Sequence, residues 1–140
     1  MKTKFAIIDG KRRKPEPNLR GRCQCCGELM IAKCGDIKAW HWAHKTKKIC
    51  DPWWGNETEW HLNWKDQFPE SWQEIVHTCD VTGEKHIADI QTDTGMFIEF
   101  QNSPIKSEEQ SARERFYKNM VWIVNGARRK TVYPRFRKGL

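Results

Sequence analysis

The sequence predicts an α/β protein of the α+β kind, with a small mixed sheet flanked by helices behind an N-terminal Cys/His-rich module. Three observations carry this. Five of the six cysteines crowd between positions 23 and 50, together with His41 and His44. Two β-type runs, 86–91 and 96–101, flank the polar turn Thr92-Asp93-Thr94-Gly95. Two segments of helical character, around 57–68 and 107–119, lie on either side of that hairpin.

Residues 11–20 hold charge runs and two prolines, so they read as a loop or extended arm. Residues 21–50 are turn-rich, with Gly27 and Gly35 as turning points and a strand expected from Ile37 to Trp42. Asp51-Pro52-Trp53-Trp54-Gly55-Asn56 breaks the chain. Asn56 reads as the N-cap of a helix over 57–68, since Glu57 and Glu59 in its first turn suit the helix dipole. Trp60, Trp64 and Phe68 form one stripe on that helix, and Glu57, His61 and Lys65 form another. A strand is expected at 74–78. The helix over 107–119 takes Ser107 as N-cap, and Val121–Asn125 closes as a buried strand. The organisation read from this is a basic segment 1–20, a metal-binding module 21–55, a core 56–126 and a basic tail 127–140.

Eight tryptophans and six phenylalanines compensate for a hydrophobic content of only 38%. No apolar run approaches a membrane span, and the N-terminal apolar stretch is too short for a secretory signal. The expectation is a cytoplasmic location, in which clustered cysteines read as metal ligands rather than disulfides. The net charge of +7 is uneven: residues 1–20 sum to +5, residues 126–140 to +6 and the middle to −4. Basic ends around an acidic centre suit a polyanion, because Lys and Arg gain by releasing counterions from phosphates.

The acidic centre has a geometry. If the hairpin turns about Asp93-Thr94, Asp89 faces Ile98 or Glu99, while Glu99 and Gln101 share a face. Cross-strand neighbours approach to about 5 Å at Cβ, so Asp89 and Glu99 converge on one cation. Like charges so close call for a divalent ion, Mg²⁺ for preference. The Glu57-His61-Lys65 stripe lies at the border of the core, where it can meet these acids.

These residues resemble a known family. Glu57-x3-His61-x3-Lys65, Ala88-Asp89-Ile90 and Ile98-Glu99-Phe100-Gln101-Asn102-Ser103-Pro104-Ile105 are similar to the competence protein CoiA-like nucleases of the PD-(D/E)XK superfamily. Arg113, Tyr117 and the Trp122-Ile123-Val124 strand continue the resemblance. Upstream, Cys23-x2-Cys26 and His41-Trp42-Ala43-His44 resemble that family's zinc-finger-like module. The resemblance implies a restriction-endonuclease-like core and hydrolysis of DNA phosphodiesters with Mg²⁺ or Mn²⁺. It makes Asp89 and Glu99 metal ligands and Glu57 the acid of the first core helix. Gln101 stands where the wider superfamily has a lysine, which leaves Lys65 or His61 to supply the charge or proton transfer. The family's arginine before Ala-Asp is absent here; Lys85, His86 and Ile87 occupy that stretch.

Zinc takes four S or N ligands in a tetrahedron, and Cys-x2-Cys-Gly is a tight knuckle that presents two thiolates. The favoured set is Cys23, Cys26, His44 and Cys50, which frames the strand between its ligand pairs; His41 is the alternative. Cys79 reads as a buried small apolar residue. Such a zinc-ribbon-like site adds folding energy to a lean core. The rival reading is a zinc-containing nucleic-acid-binding protein without catalysis, with Trp42, Trp53 or Trp54 stacking on bases. A third is an interaction protein acting by charge alone. DNA is the expected partner, and a homodimer is the expected assembly if both strands are cut.

Overall fold

The structure, a computed structural model, describes residues 1–46 and 48–126. The basic tail expected at 127–140 lies outside the described residues. The chain divides into two compact units: Met1–Glu57 with Val76–Ile87, and Thr58–Ile75 with the residues from Ala88 onward.

The first unit contains six strands: β1 (Lys2–Thr3), β2 (Ala6–Ile8), β3 (Lys11–Arg13), β4 (Arg20–Arg22), β5 (Leu29–Lys33) and β6 (His41–His44). Their order in the sheet is β1-β6-β5-β4-β2-β3. The charge run at 11–20 is a loop, as expected, only over residues 14–19, since Lys11–Arg13 form β3 and pair with β2 along Ala6↔Arg13 to Ile8↔Lys11. β1 and β2 are joined by only Lys4 and Phe5, yet three strands separate them in the sheet. Strands lie about 4.8 Å apart, and three residues reach at most about 11 Å. The sheet must curl until its ends approach. Gly21 marks the tightest point: a Cβ there would lie 3.1 Å from both the Ala6 Cβ and the Ile7 carbonyl oxygen.

The inner side of the curl holds Ala6, Met30, Trp42 and Cys23 as a buried cluster. The Trp42 indole donates to the Arg13 carbonyl at 2.9 Å and that of Trp54 to the Lys2 carbonyl at 2.8 Å. Both rings are core rather than base-stacking platforms. The strand expected at 37–42 starts later, because the β5–β6 ladder pairs Lys33 with His41 and leaves 34–40 as the connecting loop.

The second unit carries α1 (Glu59–Lys65), a 3₁₀ turn (Glu70–Trp72), β9 (Phe97–Gln101), α2 (Ser107–Tyr117) and β10 (Met120–Val124). With strands β7 (Gln73–Thr78) and β8 (Lys85–Gln91), the sheet order is β10-β9-β8-β7. The sheet is mixed: β8 and β9 are antiparallel, whereas β10 runs parallel to β9 after the α2 crossover. The overall class is α+β, as expected.

Both helix starts differ from expectation. α1 begins two residues late, because extended Thr58 and His61 form a reciprocal capping box that ends the helix there. Glu57 thus precedes the helix and does not share its face with His61 and Lys65. Ser107 is the first helical residue of α2, and Lys106 is its cap. The aromatic stripe does form: Trp60, Trp64 and Phe68 surround the Phe100 ring at centroid distances of 6.2, 5.8 and 6.2 Å. Trp60 and Phe68, with Ile90, Ile98 and Phe100, belong to the core that fixes α1 against β8 and β9, while Trp64 stays at its exposed margin.

Candidate functional sites

The knuckle after β4 is built by backbone bonds. Cys23 N–H donates to the Glu28 carbonyl, and Gly27 N–H donates to that of Cys23, both at 2.9 Å. Closing so tight a turn puts Gly27 at φ 77°, a conformation that glycine adopts without strain. The turn brings Cys23 and Cys26 to the inner end of β6 and to Cys50, so that the ligand atoms of Cys23, Cys26, His44 and Cys50 all lie within 4.8 Å of one another. Cys23 and Cys50 sulfurs are 3.7 Å apart, and the Cys26 sulfur is 3.3 Å from His44 Nε2. A tetrahedron with Zn–S arms of about 2.3 Å and a Zn–N arm of about 2.05 Å has edges of roughly 3.75 and 3.55 Å. The cluster can bind zinc.

Its titration points the same way. The hydrogen bond with Cys50, followed by burial, pushes the Cys23 thiol far above its ordinary value. Cys50 is pushed up to about 12: the bond with Cys23 works against this, but the bond with Cys25, burial and neighbouring thiolate charge outweigh it. Burial keeps His44 below its usual value and therefore neutral. The Cys23 and Cys50 thiols, held this close, ionise together only if a cation joins them. His41 lies outside the cluster, with Nδ1 2.9 Å from the Ala39 carbonyl.

Cys79 is not the buried apolar residue expected. It opens a turn of the same construction as the zinc knuckle, with Cys79 N–H to the Glu84 carbonyl at 2.8 Å and Gly83 N–H to that of Cys79 at 2.9 Å. The sequences Cys79-x3-Gly83-Glu84 and Cys23-x3-Gly27-Glu28 repeat the pattern, with Thr82 in place of the second cysteine. Hydrogen bonds, first from the Thr82 side chain, lower the Cys79 thiol.

In the second unit the β8–β9 ladder pairs Ile90 with Ile98, and one step further Asp89 faces Glu99. There the backbone donors turn to side chains. Asp89 N–H donates to Glu99 Oε2 at 2.8 Å, and Phe100 N–H donates to Asp89 Oδ2 at 2.9 Å. Each carboxylate is thus locked by the other strand through one oxygen, and its second oxygen faces a cation. Asp89 Oδ1 lies 3.6 Å from Lys65 Nζ, and Glu99 Oε1 lies 3.4 Å from Arg113 Nη1. Lys65, at the end of α1, is fully buried and also meets Glu74 Oε2 at 3.2 Å.

Of the residues expected at this site, Lys65, Asp89 and Glu99 come together. His61 sits near them but is committed to the α1 cap, with Nδ1 2.8 Å from the Thr58 hydroxyl. Burial lowers its pKa against the pull of Asp89, so it is a neutral ring, and the positive charge beside Asp89 is that of Lys65. Gln101 is buried, with its amide turned to the Ser103 carbonyl at 3.3 Å. Glu57 clusters with the first unit. Sequence reasoning missed Glu74. It is completely buried at φ 53°, a backbone strain that tertiary contacts must support. The available signal was an acid in a strand shortly after Lys65. Arg113, seen only through resemblance, bridges Glu99 and Glu109, the latter at 2.6 Å.

Residues 17–52 match the family model of the competence protein CoiA N-terminal domain. The chain is CoiA-like in this module. The match spans β4 to β6 and includes all four zinc-type ligands of the CoiA-like segment. No curated protein and no solved structure matches the chain. Among the described residues, no helix is long and apolar enough to cross a membrane.

Proposed function

We propose that this chain is a divalent-metal-dependent nuclease that hydrolyses DNA phosphodiesters and is braced by a structural zinc at Cys23, Cys26, His44 and Cys50. The observation that carries the reading is the reciprocal lock between Asp89 and Glu99, which leaves one oxygen of each acid directed away from the ladder. Three largely buried acids, Glu74, Asp89 and Glu99, gather around Lys65 and Arg113, and Arg113 also holds Glu109, so the acids outnumber the cations. Such a donor set fits Mg²⁺ or Mn²⁺, which need only one or two carboxylates besides water and phosphate oxygens. Asp89 and Glu99 would hold the ion, and when bound it would polarise the phosphate and acidify water.

The chain's own residues do the rest. Lys65 places a charge beside Asp89, in the role that a lysine at position 101 would otherwise fill, and Glu74 keeps its ammonium in place. Gln101 fixes the exit from β9, with its side chain bonded to the following loop. Trp60, Phe68 and Trp72 packed against Phe100 back the strand with apolar rings. One observation favours the non-catalytic alternative: both acids already have cationic partners, Lys65 and Arg113. Incubating the chain with duplex, single-stranded and branched DNA in Mg²⁺ or Mn²⁺ separates the two. Cleavage that Glu99→Ala abolishes, with binding retained, supports the nuclease. No cleavage of any substrate with either metal refutes it.

A further inference from the structure

The outer face of the curled sheet is a row-by-row arrangement of cations that neither the zinc cluster nor the carboxylate site uses. Side chains alternate across a strand, and Gly21 points inward against Ala6, so its neighbours Arg20 and Arg22 point outward together. The register extends this face. Arg22 sits beside Ile7, which sits beside Arg12. Arg20 sits beside Ile31, then Ala43, then Lys2. Lys33 is next to His41. No acid occupies any of these positions.

Arg20, Arg22 and Lys33 are exposed and form no ion pair among the described residues, whereas Arg13, in the opposite alternation, is paired with Glu16 at 2.8 Å. Arg12 is propped over the Phe5 ring at 4.1 Å and donates to Gln24 at 3.1 Å, which holds it upright at the edge of the face. The apolar members between the cations, Ile7, Ile31 and Ala43, are half-buried. At the Lys33–His41 end, the loop presents Trp40, half exposed, its indole pinned to the Gly35 carbonyl at 3.2 Å.

We propose that this face, centred on Arg20, Arg22 and Lys33, is a nucleic-acid-binding surface that grips the phosphate backbone, with Trp40 as a stacking platform at its edge. Unpaired cations beside half-buried apolar rows match a polyanion with flat hydrophobic bases. A membrane surface would call for protruding apolar groups among the cations, whereas the exposed ones, Ile37 and Trp40, lie on the loop beside the strands. The proposal shares the nucleic-acid partner with the hydrolytic reading but does not need hydrolysis.

The test is fluorescence anisotropy of the full chain carrying Asp89→Asn, with labelled duplex, single-stranded DNA and RNA, from 50 to 300 mM KCl and without added divalent ions. Arg20→Ala/Arg22→Ala/Lys33→Ala is expected to bind at least tenfold more weakly. Its slope of log K against log salt should fall by about 2 to 3, since each phosphate contact contributes about 0.7 to 0.9. The control Lys85→Ala/Lys106→Ala/Arg115→Ala removes the same charge elsewhere and should keep the slope. Arg20→Lys/Arg22→Lys should keep it too, which guards against a folding defect in the alanine variant. Equal losses in the control triple overturn the proposal. So does binding of the parent chain to vesicles with 30% phosphatidylserine but to no nucleic acid. Cleavage in Mg²⁺ is scored separately, so loss of one reading leaves the other standing.

Discussion

Replacing Lys65 by methionine tests whether the ion pair under the carboxylate site is as buried as it looks. Lys65 and Glu74 are both fully inaccessible and 3.2 Å apart, with Asp89 at 3.6 Å from the same ammonium. Methionine and lysine have similar helix propensities, so α1 itself should be little affected. The variant instead leaves Glu74 buried without its cation, an imbalance that typically costs about 3–5 kcal/mol. For a chain of this size that corresponds to a fall in Tm of roughly 10–20 °C. Adding Glu74→Gln removes the stranded charge, and Lys65→Met/Glu74→Gln should recover most of the loss. Urea unfolding at pH 7 followed by tryptophan fluorescence measures both variants. A Lys65→Met chain within about 0.5 kcal/mol of the parent, or a double variant less stable than the single one, would refute the reasoning.

Cys26→Ser should lower the zinc content from about one ion per chain, measured by elemental analysis, and a chelator should lower the Tm of the parent but much less that of the variant. Gly21→Ala should destabilise the first unit by about 1–3 kcal/mol, because the new methyl meets backbone as well as Ala6; thermal melts check this. His86 is held between Asp51 Oδ1 at 2.7 Å and Glu84 Oε2 at 2.6 Å. Burial opposes its charge, but the bonds to Asp51 and Glu84 outweigh burial and raise its pKa. A raised folded pKa gives stability that is complete below about 6.5 and lost as the pH climbs through the folded value. The Tm advantage of the parent over His86→Gln should therefore shrink between pH 6 and pH 9; a constant difference would count against the bridge.

How much of this was legible in the sequence follows from how local each signal is. The first pair of zinc-type ligands was legible because knuckle spacing is local chemistry, whereas the closing pair was a preference with His41 as its alternative, which only the fold places outside the cluster. The hairpin register was legible because its turn fixes which numbers face each other. The curled sheet was not: β1 to β4 are two- and three-residue strands whose partners lie far along the chain, too short for any periodicity to show. The start of α1 was not legible, because the spacing of Glu57 to His61 and Lys65 is helical and periodicity cannot reveal that Thr58 caps the helix first. Glu74 was hidden because its role depends on a left-handed backbone conformation at an acidic residue within a strand. Tertiary contacts alone support that.

The two cations of the site are not equivalent, and the difference bears on how a salt-bridged pair of acids could also serve as a metal site. Lys65 has no solvent exposure and lies between Glu74 and Asp89, so moving it would strand a charge. Arg113 has a different geometry. Its tie to Glu99 is long at 3.4 Å, while its second nitrogen meets Glu109 at 2.6 Å, one turn back on the same helix, and its guanidinium lies 5.8 Å from the Trp122 ring centroid. Arg113 can therefore release Glu99 and still keep a carboxylate and an aromatic partner, whereas Lys65 has nowhere to go. On the proposed reading, Lys65 is the permanent charge of the site and Arg113 the exchangeable one. Glu99 is locked to the Asp89 amide through one oxygen and meets the exchangeable cation with the other.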